Sequence, residues 1–216
     1  MTDWHELADL PFADALEPHA GGLRRSAEYD GVHFDQFSLD EPEAPSATFI
    51  ECAFTGVSVQ GGRLQKARLR DVLLRDVRLI ATGLGESSWA DVAVVDSLAA
   101  GAELFGAELR RVTFRRCKLD SVNFRGAALT EVTFRDCELS DVDFASATLT
   151  RSSFPGSRLT RADFSRVTMD QTDLRGAELG LIIDQNSLRG AIVSTGQLVH
   201  IAPVLAQTMG VIVSDD

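Results

Sequence analysis

Residues 134 to 149 read FRDCELSDVDFASATL, and the large apolar side chains Phe134, Leu139, Phe144 and Leu149 recur every five positions. That period suits neither an α-helix, at 3.6 residues per turn, nor a flat strand, at two. On a helix it would advance about 500° per repeat and smear the apolar residues around the cylinder, leaving no face to bury. Working outward from this stretch, the same register runs from Phe49 to Leu179 through twenty-seven positions, all large and apolar except Ala99. The residue two places before each, from Ala47 to Ala177, is always Ala, Val, Ser, Thr, Cys or Gly. A chain that turns a corner after each unit of five gives this pattern a purpose. One large and one small side chain point inward, three face water, and the small residue allows close approach at the corner.

Four such units would close a square turn, stacking residues twenty apart at the ~4.8 Å separation of paired strands. The phenylalanines support that count. Nine of the twelve occupy the large inward position, and eight of those nine fall in two of the four columns: Phe34, Phe54, Phe114, Phe134 and Phe154 in one, Phe124, Phe144 and Phe164 in the other. Leu119, Leu139, Leu159 and Leu179 form a third. The spacing predicts a rod of six to seven coils, about 32 Å long, with a solid core. Phe114, Phe124, Phe134, Leu139, Phe144, Phe154 and Phe164 are expected to be its central lining.

Val122-Asn123-Phe124-Arg125-Gly126 and Thr172-Asp173-Leu174-Arg175-Gly176 follow one pattern: a small residue, Asp or Asn, Leu or Phe, then two mostly polar residues. Ala162-Asp163-Phe164-Ser165-Arg166 follows all but its last place. In these units the chain resembles the pentapeptide-repeat proteins, over residues 47–179 of 216. The resemblance implies an all-β fold, a right-handed quadrilateral parallel β-helix with short helical caps. It also implies a non-enzymatic interaction protein without cofactor or metal. The best understood members bind DNA gyrase or topoisomerase IV as DNA mimics and alter sensitivity to fluoroquinolones. A rigid cytoplasmic scaffold for an unrelated protein partner is the alternative.

Charge bears on that choice. The formal net charge is −11, which disfavours direct nucleic-acid binding. Residues 1–46 carry eleven acids against Arg24 and Arg25, residues 47–179 carry eighteen of each sign, and the tail supplies the remaining −2. A duplex mimic should avoid bases along its binding face, yet Arg110, Arg111, Arg115, Arg116, Lys118 and Arg125 form a basic segment. Glu131, Asp136, Glu138, Asp141 and Asp143 follow it and are the candidate acidic partner surface.

The flanks break the pattern. Residues 1–46 are expected to be an acidic cap with short helices, one from Phe12 to Leu16 after Pro11, and a first rung at 32–39. Residues 180–216 are expected to be a second cap. There, Ser194 and Gln197 have capping-box spacing, and Leu198, Ala202, Leu205 and Met209 share one helical face as a candidate dimer contact. Pro203 predicts two short helices rather than one. Gly210 is placed as a C-cap before the apolar run Val211-Ile212-Val213, which is expected to form a final strand.

Other chemical candidates are weak. Three cysteines without a CxxC pair argue against a disulfide framework or a zinc site. Cys117 and Cys137 stand twenty apart and should stack as small core residues. His5, His19, His33 and His200 share no ligand spacing. Gly83-Leu84-Gly85 lacks the GK[ST] of a phosphate loop and predicts a loosened coil. Trp89 and Ala99 mark the least regular coils, at 80–100. No run of eighteen apolar residues is present and the N-terminus is acidic, so neither a membrane span nor a signal peptide is expected.

Overall fold

The computed structural model describes residues 4–19 and 21–212. Its chain winds as a parallel β-helix in which, between Glu28 and Gly180, strand pairing joins residues twenty apart, as in Phe114↔Phe134, Leu119↔Leu139 and Leu129↔Leu149. Three of the four faces carry strands, with first-face and second-face segments joined in eleven strands of one sheet and the third face forming an eight-stranded sheet. The fourth face is held by isolated bridges from Glu43↔Arg63 to Asp143↔Asp163. In the second to fifth coils the first face runs into the second as one eight-residue strand, such as Arg68–Arg75. Pairing on the first face begins at Glu28 and the third face reaches Ile182. The third face therefore counts eight coils where the spacing predicts six to seven. The addition is at the start, where residues 28–46 complete a first coil around Tyr29, Phe34 and Leu39.

The inward register is as read from the sequence. Phe124, Phe134, Leu139, Phe144, Phe154 and Phe164 have no exposed surface and Phe114 is buried. The two phenylalanine columns lie on opposite faces, the second and the fourth. Within a column rings stack in parallel, as Phe114–Phe134 at 4.8 Å and Phe124–Phe144 at 5.2 Å between centroids, although Phe144 and Phe164 are tilted by 40°. Between columns they meet edge to face at 6.0–6.4 Å. Both geometries suit the aromatic quadrupole.

The corners are made differently from the sequence expectation. The small residues are buried beside the large ones, and their hydroxyls and thiols satisfy backbone groups of adjoining coils. Ser157 Oγ accepts from Cys137 N and donates to Phe134 O, each at 2.9 Å, while Cys117 and Cys137 donate Sγ–H to the Val94 and Phe114 carbonyls. The bend itself lies two residues after each large position. Every fifth residue from Ser26 to Gly176, thirty-one in all, has φ between +46° and +77°. None of the thirty-one is β-branched, because a branched Cβ is strongly disfavoured at positive φ.

Coils 80–100 are not loosened. Leu84 is buried in register, and Ser88–Val95 is among the longest strands. Trp89 is 2% exposed and donates Nε1–H to Ser87 Oγ at 2.9 Å. Trp89 and Ala99 line the same ≈ 20 Å³ void.

At the C-terminus a single helix, α1 (Thr195–Thr208), replaces the two pieces expected, with Pro203 inside it. The carbonyl that Pro203 leaves without an intrahelical donor belongs to Val199, whose side chain is 71% exposed, so water can satisfy it. Ser194 and Gln197 form the capping box, and Gln197 Nε2 also donates to the Leu174 and Ala177 carbonyls at 2.6 and 2.8 Å, fastening the helix to the last coil. Gly210, at φ +74°, closes the helix in a Schellman arrangement, with Val211 N donating to Ala206 O. Val211 and Ile212 form no strand, and Val213 lies outside the described residues.

Candidate interaction surface

Stacking at twenty residues places charged side chains above one another, and among the described residues eight ion pairs have this spacing. Those bonded through arginine guanidinium include Glu43–Arg63, Asp91–Arg111, Asp96–Arg116, Glu131–Arg151 and Arg161–Asp141. Lys66–Glu86, Lys118–Glu138 and Arg158–Glu178 complete the set. Asp91 and Arg111 are the least exposed, with Nε to Oδ1 at 2.6 Å, and this hydrogen bond holds the Asp91 carboxyl below its ordinary range. The remaining pairs are more exposed and contribute little each.

The five residues of the candidate acidic surface do not gather on one face. Glu131 is at the corner of the first and second faces, Asp136 at the next corner, Glu138 on the third face, Asp141 at the corner beyond it, and Asp143 on the fourth. They encircle the sixth coil. Four are neutralised: Glu131 by Arg151, Glu138 by Lys118, Asp141 by Arg161, and Asp143 by Arg125 at 2.7 Å. The denser concentration of acid is at the other end, where Glu28, Asp30, Asp35, Asp40, Glu41, Glu43 and Glu51 ring the first two coils. From 28 to 182 the coil carries twenty-four acids and eighteen bases, a charge of −6.

The candidate dimer residues of α1 divide. Leu205 packs toward the core beside buried Ile201. Leu198, Ala202 and Met209 face outward, with Leu198 48% and Met209 71% exposed, and Val199 joins them. Between α1 and the last coil runs a groove of ≈ 410 Å³ lined chiefly by Leu159, Leu181, Ile183, Ile201 and Val204.

The N-terminal segment covers the flank of the rod. Single 3-10 turns at Leu7–Asp9 and Ala13–Ala15, in place of a helix over 12–16, carry Leu10, Trp4, Leu7, Phe12 and Leu16 onto Ala53, Leu73, Ala93 and Val95. These are outward positions of the second face, and Leu73 and Val95 are large apolar residues where the repeat otherwise exposes polar ones. That anomaly is visible in the sequence and was the available signal for this strap. Along this segment His5 accepts from Arg115 Nη1, 2.9 Å from the ring Nε2. Only after the strap does the chain meet the coil's open start, where Glu17–Pro18 pairs with Val32–His33.

Among the described residues the coil's interior is filled by its lining. Its voids, ≈ 20 and ≈ 50 Å³, are lined almost wholly by apolar side chains. Cys52, Cys117 and Cys137 are buried; burial pushes the Cys52 thiol up to about 11, and contact with the Cys117 sulfur raises Cys137. Among the described residues no group of three or more His, Cys, Asp or Glu is placed to hold a metal, and no helix is long and apolar enough to cross a membrane.

Residues 107–182 match the family model of the pentapeptide repeat region. The rod has the pentapeptide-repeat β-helix fold. Two solved structures of trypsin-treated QnrB1, described as a plasmid-mediated fluoroquinolone resistance protein, share the pentapeptide-repeat coil with this chain. One is 20% identical over 88% of this chain and all of its own, with a TM-score of 0.61. The other is 17% identical over 87% and all of its own, with a TM-score of 0.57. At these identities the likeness is one of fold. No curated protein matches the chain in sequence.

Proposed function

We propose that this chain is a non-enzymatic interaction protein whose rigid rod engages a protein partner in the cytoplasm. The observation that carries the reading is the division of labour along every coil, with a solid apolar lining and an outer surface of fixed, registered side chains. Such a rod offers a long preorganised surface, so a partner meets little ordering cost in binding it.

The finer reading is a DNA mimic that binds DNA gyrase or a related topoisomerase and changes its response to fluoroquinolones. Two observations support it. The first coil brings six acids into the rod, giving it the −6 charge that a basic DNA-binding surface would attract. The description of QnrB1 as a fluoroquinolone resistance protein supplies the pathway. The rival is a scaffold for an unrelated partner, favoured by the neutralised charges of the later coils. The test is a gyrase supercoiling assay with micromolar purified protein, with and without a fluoroquinolone. The expected result is either slowed supercoiling or protection from the drug, weakening as salt rises. No effect in either arm removes the topoisomerase reading and leaves the scaffold.

Self-association belongs to the same proposal. The outward face of α1, through Leu198, Val199, Ala202 and Met209, is an exposed apolar patch and suits a second copy of the chain. Light scattering should give twice the single-chain mass, and Val199→Asp should halve it without changing the melting temperature. A monomeric parent protein, or a dimer indifferent to the substitution, rejects this contact.

A further inference from the structure

Read at intervals of twenty, one outward column of the second face runs Ala53, Leu73, Ala93, with Val95 beside it, where later coils carry Thr133, Ser153 and Asp173. All four apolar residues are 0–1% exposed although they point away from the core. The N-terminal strap is what buries them. The strip is nevertheless shaped by the coil alone, because Ala53↔Leu73 and Leu73↔Ala93 are ladder pairs of the long strands Thr48–Thr55, Arg68–Arg75 and Ser88–Val95. It is preformed beneath its cover.

The cover is attached differently. From Glu6 to Leu16 each backbone hydrogen bond among the described residues closes within the strap, as in Asp9 N to Glu6 O at 3.1 Å and Ala15 N to Phe12 O at 3.0 Å. The first to reach the coil is Glu17 N to Gly31 O at 2.8 Å. Over residues 4–16 the hold is therefore made by side chains, and among them Leu10 alone is buried, at 4% exposed. Trp4, Leu7, Phe12 and Leu16 are partly buried against the same strip. A segment with single 3-10 turns, one buried anchor and no ladder bond to the coil belongs to the least stable part of the molecule. Its opening leaves the coil's own pairing intact.

We propose that the strip of Ala53, Leu73, Ala93 and Val95 is a docking site for an apolar segment of a partner polypeptide, which the strap occupies in the free chain. The strap shows what fits. Leu10 is its buried anchor, Trp4 and Phe12 meet edge to face at 5.9 Å beside it, and Glu6, Asp9 and Asp14 are exposed. A rigid strip adds little ordering cost of its own when a second segment of that chemistry replaces the first. The inference rests on the interaction reading above and names the surface that it uses.

Two measurements on the full chain test it. In native-state hydrogen exchange the bonded amides of Leu10, Ala13 and Ala15 should exchange at least a hundredfold faster than those of the strands beneath. Equal protection would make the strap a fixed part of the rod and overturn the proposal. The second measurement follows the anisotropy of a fluorescein-labelled peptide with the sequence of residues 4–16. Leu10→Asp, which frees the strip, should bind it saturably and at least tenfold more tightly than the parent, whose tethered strap competes at high effective concentration. Adding Leu73→Asp should abolish that binding, and an unaltered melting temperature will show that the coil remains folded around this outward position. No binding to Leu10→Asp, equal binding to the parent, or binding that survives Leu73→Asp overturns the proposal. A halved mass of Leu10→Asp in light scattering also overturns it, since the strip would then hold the strap of a second copy. Neither measurement involves a topoisomerase or the outward face of α1, so their failure leaves the tests of those readings standing.

Discussion

Phe134→Arg is expected to abolish the cooperative melt of the rod and most of its far-ultraviolet β signal. Phe134 has no exposed surface and sits between the parallel rings of Phe114 and Phe154, at 4.8 and 4.9 Å, with Phe124 and Phe144 edge-on across the core. Removing the ring alone costs about 3–5 kcal/mol, as in other buried phenylalanine truncations. A guanidinium in its place finds no acid in the lining and cannot shed its proton, so desolvation adds several kcal/mol more. The sum approaches the whole stability of an ordinary domain, about 5–15 kcal/mol. Because each coil contacts only its neighbours, the defect lies in the sixth coil and separates the two halves of the rod. Phe134→Leu, which keeps an apolar side chain of the kind that lines the third face, should lose only about 1–2 kcal/mol. A Phe134→Arg chain that melts like its parent would place this side chain outside the coil and overturn the inward register.

The register was legible because it is written in side-chain size, which burial constrains directly at each fifth residue. What lay outside that pattern was harder to read. Residues 28–46 were separated from the coil by their acid content and by Pro42 and Pro45, although Tyr29, Phe34 and Leu39 are in phase with Phe49. Charge is a property of outward positions and carries no information about whether a coil closes. The position of the corners was recoverable from composition, since no Val, Ile or Thr occurs at any of the thirty-one positive-φ sites. The acidic set from Glu131 to Asp143 looked like a surface because it is contiguous in sequence, yet a chain that turns every five residues distributes neighbours over four faces. Conversely, Arg111, Arg135 and Arg151 are far apart in sequence and line one cleft. Surfaces on such a rod are read at intervals of twenty. The path of the strap required knowing that Leu73 and Val95 point outward, which the five-residue register states once it is trusted. Pro203 misled because helix propensity was weighed without the anchoring that Gln197 provides to the end of the coil.

Ala99 is the one small residue among the twenty-seven large inward positions from Phe49 to Leu179, and its exchange with Trp89 tests how the core tolerates it. The fourth coil balances a tryptophan on the first face against an alanine on the third, with a ≈ 20 Å³ void remaining between them. Trp89→Leu should cost about 2–4 kcal/mol, because the space beyond a leucine stays empty and Ser87 Oγ loses its indole donor. Ala99→Leu alone should cost about 1–3 kcal/mol, since the added atoms meet the indole. The two together restore the leucine pair found at Leu109 and Leu119 in the following coil. The double variant should therefore be more stable than the sum of the single losses predicts, with a coupling of about 1–3 kcal/mol measured by urea denaturation. Adding Ser87→Ala should recover part of what remains, because it removes a buried hydroxyl that no longer has its donor. Strict additivity would mean that the indole does not reach the space beside Ala99. The void would then be a defect of the fourth coil, and the exception in the repeat would have no compensating partner.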